Sequence, residues 1–161
     1  MPRIRSTNGS RRTWSAAPPI SASTCLTTMS DGPRAIVAAH GDLAEGLVSA
    51  VSRVAGAAAA ARLMPFSNST LGGAELVDAL RQAVASTGAQ VVFTDLPAGS
   101  CTIAARRIAR ESPGLAVVCG TNLPMLLSFA MASTGGPETW RVAVQKGQAA
   151  MCIAEEGARA D

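Results

Sequence analysis

Residues 35–47 read AIVAAHGDLAEGL. An apolar run, Ala35-Ile36-Val37-Ala38-Ala39, stops at His40 and Gly41, and an amphipathic pattern with Asp42 and Glu45 near its start follows. That order spells a strand ending in a histidine, a glycine turn and a helix. His40 is the one histidine of the chain. Any imidazole chemistry is therefore done here.

The same alternation repeats downstream. Residues 34–39 are the first strand and 42–55 the first helix, with Leu43, Leu47, Ala50, Val51 and Val54 on one stripe. Gly56 and the alanine run 57–61 end or extend it. Residues 62–66 are a short second strand, and Ser67-Asn68-Ser69-Thr70 is a turn and cap cluster. The second helix carries Leu71, Leu76, Leu80 and Val84 until Gly88 closes it. The third strand, 89–94, ends at Asp95; the turn Leu96-Pro97-Ala98-Gly99 follows, and Ser100 is a good N-cap for a helix through about residue 110. Pro113-Gly114 breaks that helix before a fourth strand, 115–119, ended by Gly120. Asn122 caps a fourth helix to Ala132, with Pro124 in its first turn. After the link 133–137 a last amphipathic helix runs from Glu138 to about Glu156.

Strands alternating with helices imply a parallel sheet covered on both faces. Right-handed crossovers make it a doubly wound α/β fold, and four strands take the order 2-1-3-4. In that order the first and third strands are neighbours, and the winding direction reverses between them. Ligands of open α/β sheets bind at this switch point, beyond the carboxyl ends of the strands. His40 and Asp95 should meet there.

A carboxylate beside a neutral imidazole accepts one ring N–H, fixes the tautomer and leaves the other nitrogen's lone pair facing outward. Behind Asp95, Gly99 allows close approach of the backbone, and Ser100 opens a helix whose unpaired N–H groups suit a phosphoryl group. Gly41 offers a second flexible backbone position beside the histidine. Neither loop holds a lysine or arginine, and no complete Walker or dinucleotide glycine motif is present. A tightly held nucleotide polyphosphate is therefore disfavoured. Other readings stay open: an incidental histidine and turn aspartate, a metal site from His40, Asp42 and Glu45, and a hydrolase built on Ser100. The last lacks the G-x-S-x-G elbow. Cys101, near a helix start, has either a lowered pKa or a buried, inert place in the core.

Composition narrows the partners. There is no tyrosine and aromatics are 3% of the chain, so base stacking is disfavoured. The net charge of +3 comes from 1–33, which holds Arg3, Arg5, Arg11, Arg12 and one acid, Asp31; residues 34–161 hold ten basic and ten acidic groups. The domain therefore has no nucleic-acid face by charge. Cys25, Cys101, Cys119 and Cys152 make no C-x-x-C pair and read as free thiols of a reducing cytoplasm, with no metal implied. No run reaches the roughly 20 apolar residues of a membrane span. Residues 1–32 read as a disordered or artefactual tail, with Met29 as an alternative start. The Arg11-Arg12 pair is followed by no apolar core of an export signal.

Three stretches, AIVAAHGDLAEGL, VVFTDLPAGSCTIAARRIA and VVCGTNLPMLLSFAM, resemble the IIA component of the mannose family of the bacterial phosphoenolpyruvate-dependent sugar phosphotransferase system. The likeness spans about 34–132, within a domain over 33–158. It implies a phosphoryl carrier that accepts phosphate from the phosphohistidine of HPr on His40 and passes it to a IIB component during sugar uptake. By the same likeness Asp95 hydrogen-bonds the other ring nitrogen, Ser100 lines the phosphate site, and Gly120-Thr121-Asn122-Leu123-Pro124 flanks it. The resemblance also implies a homodimer and no cofactor within this chain, with magnesium serving the upstream enzyme that uses phosphoenolpyruvate. A C-terminal strand exchange, known in some members, is not expected of a chain that ends in a helix. The sequence departs from the family pattern at Ala98, Cys101 and Ile103, where glycine, proline and asparagine are usual. Three alternatives remain: a regulator without its own permease, the phosphotransfer subunit of a dihydroxyacetone kinase, and a non-catalytic dimer that binds an anion or a partner.

Overall fold

The first strand, β1 (Ala35–Ala39), is buried along its whole length. A strand apolar on both faces must have elements on both sides. The computed structural model describes residues 34–153. The expected tail over 1–32 and the alternative start at Met29 lie outside the described residues.

From β1 the chain runs through α1 (Leu43–Ala55), α2 (Ala57–Ala60), β2 (Leu63–Ser67), α3 (Gly73–Thr87), β3 (Val91–Thr94), α4 (Ser100–Glu111), β4 (Ala116–Cys119), α5 (Leu123–Ala130) and α6 (Pro137–Ala149). The four strands form one parallel sheet in the order β2-β1-β3-β4, as the alternation of elements predicts. Ala38 lies opposite Thr94 in the β1–β3 register. His40 and Asp95 therefore leave the sheet side by side.

Alternate strand residues feed two cores. Val37, Ala39, Val91 and Phe93 pack with Val51, Leu126, Phe129 and Ala143 on one face. Ile36, Ala38 and Val92 pack with Leu76, Leu80, Ala105 and Ile108 on the other. Phe93 meets Phe129 edge to face, with ring centroids 5.1 Å apart, the arrangement favoured by the ring quadrupoles. Arg62 donates to the carbonyls of Ala130 and Ala132 and so satisfies the end of α5.

Four details differ from the sequence expectation. The alanine run is a separate short helix, because Gly56 sits at φ +87° and turns the chain after α1. The inward stripe of α1 is Ala44, Leu47, Val48, Val51 and Ala55, while Leu43 and Val54 are exposed. Two alanines share that stripe with Leu47, Val48 and Val51. α3 begins at Gly73 instead of Leu71, after a turn closed by Leu71 N–H on the Asn68 carbonyl. α6 ends at Ala149, since Met151 and Ile153 beyond it are exposed and have no core to enter.

Two helical glycines carry opposite predictions. Gly46 in α1 has open space where an added methyl would stand, whereas at Gly147 in α6 a Cβ would lie 2.9 Å from Asn122 Oδ1 and 3.0 Å from Met125 Cβ. Ala is worth up to about 1 kcal/mol over Gly in a helix, and overpacking costs about 1–3 kcal/mol. Urea unfolding should show Gly46→Ala more stable than wild type and Gly147→Ala less stable.

Candidate functional site

β1 and β3 deliver His40 and Asp95 to the same end of the sheet. The His40 backbone N–H donates to Asp95 Oδ2 at 3.0 Å, and the ring Nδ1 lies 2.7 Å from the same oxygen. A carboxylate only accepts, so Nδ1 carries a proton, and in the neutral ring Nε2 then keeps its lone pair. The Leu96 N–H donates to Asp95 Oδ1 at 2.8 Å. Burial by itself would raise the Asp95 carboxyl, but the hydrogen bonds and charge of His40 and the Leu96 N–H outweigh it and hold the group below its ordinary value of 3.8. The Asp95 side chain is 9% exposed and that of His40 is 47% exposed. The aspartate is thus a fixed anchor and the imidazole a presented group.

The helix start that follows comes up against the ring. Gly99 is the N-cap of α4, in extended conformation, and Ser100 is the first helical residue. This corrects the expectation of Ser100 as cap. A Cβ on Gly99 would lie 3.1 Å from His40 Cε1 and 3.9 Å from Nε2, so only glycine lets the backbone sit this close. The first bond of α4 runs from Ile103 N–H to the Gly99 carbonyl. The N–H groups before Ile103 therefore have no acceptor inside the helix. Gly41 lies on the far side of the histidine at φ +54°, a conformation natural to glycine.

A second layer holds the Asp95 turn. Thr94 and Thr102 are buried with their hydroxyls 2.7 Å apart, and the Thr102 hydroxyl also donates to the Leu96 carbonyl. Thr121 donates its hydroxyl to the Thr94 carbonyl at 2.8 Å and its N–H to the same oxygen at 3.1 Å. The Gly120–Pro124 segment thus braces β3 from behind. Asn122 caps α5 through its side-chain oxygen, which accepts from Met125 N–H, and donates to the Gly147 carbonyl. The two threonines on β3 and α4 escaped the sequence reading because isolated threonines in apolar runs pass for ordinary strand and helix residues.

The remaining candidates separate. Cys101 is buried, and burial together with the nearby Asp95 charge pushes its thiol up; this corrects the lowered-pKa alternative. Among the described residues no group of three or more His, Cys, Asp or Glu side chains is arranged to hold a metal ion. His40, Asp42 and Glu45 therefore form no such site. No helix among the described residues is long and apolar enough to cross a membrane.

The site can present an oriented nucleophilic nitrogen beside a set of N–H donors. That arrangement suits capture of a phosphoryl group. A family model described as the fructose IIA component of the phosphotransferase system matches residues 34–139. Among solved structures, the mannose/sorbose-specific IIA subunit from Enterococcus faecalis is 24% identical with a TM-score of 0.68, covering 80% of this chain and 99% of that one. A IIA protein associated with the fucose utilization operon of Streptococcus pneumoniae is 20% identical with a TM-score of 0.66, covering 76% of this chain and 93% of that one. At these identities the two structures show the shared fold alone. No curated protein matches the chain. The family match covers most of the length and holds both strands that carry His40 and Asp95, and this chain belongs to the mannose and fructose IIA family of the sugar phosphotransferase system.

Proposed function

We propose that this chain is a phosphoryl carrier that takes phosphate from the phosphohistidine of HPr onto His40 Nε2 and gives it to a IIB component. The observation that carries this reading is the 2.7 Å bond from His40 Nδ1–H to Asp95 Oδ2. It commits Nε2 to the outside with its lone pair available. In the first step the Nε2 lone pair forms a bond to phosphorus while the N–P bond of the donor breaks, and the donor imidazole leaves with that electron pair. The proton on Nδ1 stays in place. The positive charge that the His40 ring gains faces the Asp95 carboxylate. The N–H groups at the start of α4, Ser100 and Gly41 surround the phosphoryl oxygens. Reversal of the same step toward IIB discharges the site.

An IIA component takes part in phosphoryl transfer within a sugar phosphotransferase system, and HPr and IIB are its general partners. The carrier domain extends over about 33–158, acts in the cytoplasm and pairs as a homodimer in this reading. It needs no cofactor, because attack by a neutral imidazole on an already activated N–P bond requires none.

Incubation with phosphoenolpyruvate, enzyme I and HPr, followed by intact-mass measurement at alkaline pH, should add a single phosphate. The label should vanish in acid and be absent from His40→Ala. No label on a folded protein with a matched donor set would sink the carrier reading. Asp95→Asn should keep the fold and slow labelling roughly tenfold to a hundredfold, the loss expected of one charge-assisted hydrogen bond.

Gly99→Ala has a different signature. Its φ of −79° tolerates alanine, so stability should change by less than about 1 kcal/mol. The added methyl crowds Cε1 and turns the ring away from the helix start. Labelling should fall roughly tenfold or more, as misaligned reacting groups lose rate steeply.

The Asp95 pair also has a pH signature. Its folded pKa lies below the ordinary 3.8, so its stabilisation is complete above that value. It is lost as pH falls through 3.8 toward the folded pKa. Thermal melts of wild type and Asp95→Asn should differ most near neutral pH and draw together as pH falls below 3.8.

A further inference from the structure

We propose that Asn68, with its neighbour Ser67, is the positioning element of the phosphoryl site, and that it sets the direction in which the Ser100 hydroxyl donates. The inference rests on the carrier reading of the same site. The turn Ser67–Thr70 leaves β2 at the same end of the sheet as His40. Asn68 Nδ2 donates to Ser100 Oγ at 2.8 Å. The Ser67 hydroxyl donates to the Gly41 carbonyl at 2.8 Å, and Ser67 Oγ receives the Ser69 N–H at 3.2 Å and lies 2.6 Å from Ser69 Oγ. One loop thus bonds both to the backbone of the turn after His40 and to the first side chain of α4.

The polarity of these bonds matters. A hydroxyl has one proton and two lone pairs, and an amide NH₂ can only donate. Ser100 Oγ must accept from Asn68, which leaves its own proton for another partner. A phosphoryl group on Nε2 offers only acceptor oxygens. The Asn68 bond therefore turns Ser100 into a dedicated donor toward the phosphate. Likewise Ser67 engages the Gly41 carbonyl oxygen, which would otherwise be a bare acceptor beside the dianion. Asn68 itself touches no reacting atom and acts through Ser100.

The test is a double-mutant cycle on HPr-driven labelling of the full chain, with folding checked by melting temperature. Asn68→Ala should lower kcat roughly tenfold while leaving KM for phospho-HPr unchanged, since Asn68 acts only through the Ser100 contact to the phosphoryl group in transfer. Asn68→Asp, nearly isosteric but offering only acceptors, should be slower still, because Ser100 must then spend its proton on the carboxylate. In a Ser100→Ala background, Asn68→Ala should have no further effect. Full independence of the two substitutions, or an Asn68→Asp variant as fast as wild type, overturns the proposal. Wild-type protein that takes no phosphate overturns the carrier reading itself, which separates the two failures.

Discussion

One hydrogen bond, from the His40 ring to Asp95 Oδ2, decides what this site can be. It fixes the tautomer of the neutral ring, aims Nε2 outward and places a negative charge beside the ring. The same carboxylate oxygen accepts the His40 backbone N–H, so ring and main chain are anchored together. That double anchorage is available only because β1 and β3 are adjacent and parallel. In-register pairing of Ala38 with Thr94 lets a residue just past each strand reach its counterpart without distortion. Had the strand order been sequential, the two groups would stand a strand apart.

The surroundings serve that bond. The Thr94–Thr102 pair and the Thr102 bond to the Leu96 carbonyl hold the turn that carries Asp95, and Leu96 N–H occupies the second carboxylate oxygen. Burial, which would favour the neutral acid, is outweighed by these donors, so the carboxylate stays charged. Gly99 brings the start of α4 to within van der Waals reach of the ring. The electrostatics of the site therefore come from backbone dipoles and one carboxylate. No lysine or arginine flanks either loop, which suits a group that must be passed on and not retained.

The strand order and the meeting of His40 with Asp95 were legible in the sequence because both follow from periodicity and winding. AIVAA and AQVVFT are too apolar to be anything but central strands, and the chain stops each one at a chemically active residue. Details that depend on shape were not legible. Alternation of apolar residues could not tell that Ala44 and Ala55 face the sheet while the larger Leu43 and Val54 face solvent. Ser100 has the chemistry of a cap, yet Gly99 takes that position since only it fits beside the ring. Asn68 reads as a turn former, and its reach to Ser100 spans 32 residues of sequence. No local pattern encodes such a contact.

The all-buried β1 has a further meaning. Five residues with essentially no exposure, three of them alanine, end one peptide unit before a histidine that is nearly half solvated. A fully protected strand and a half-solvated imidazole are therefore neighbours. Amide protons of such a strand exchange only through near-global opening, while the imidazole beside it meets solvent continually. In the proposed carrier, charging and discharging the ring would then leave the centre of the sheet closed.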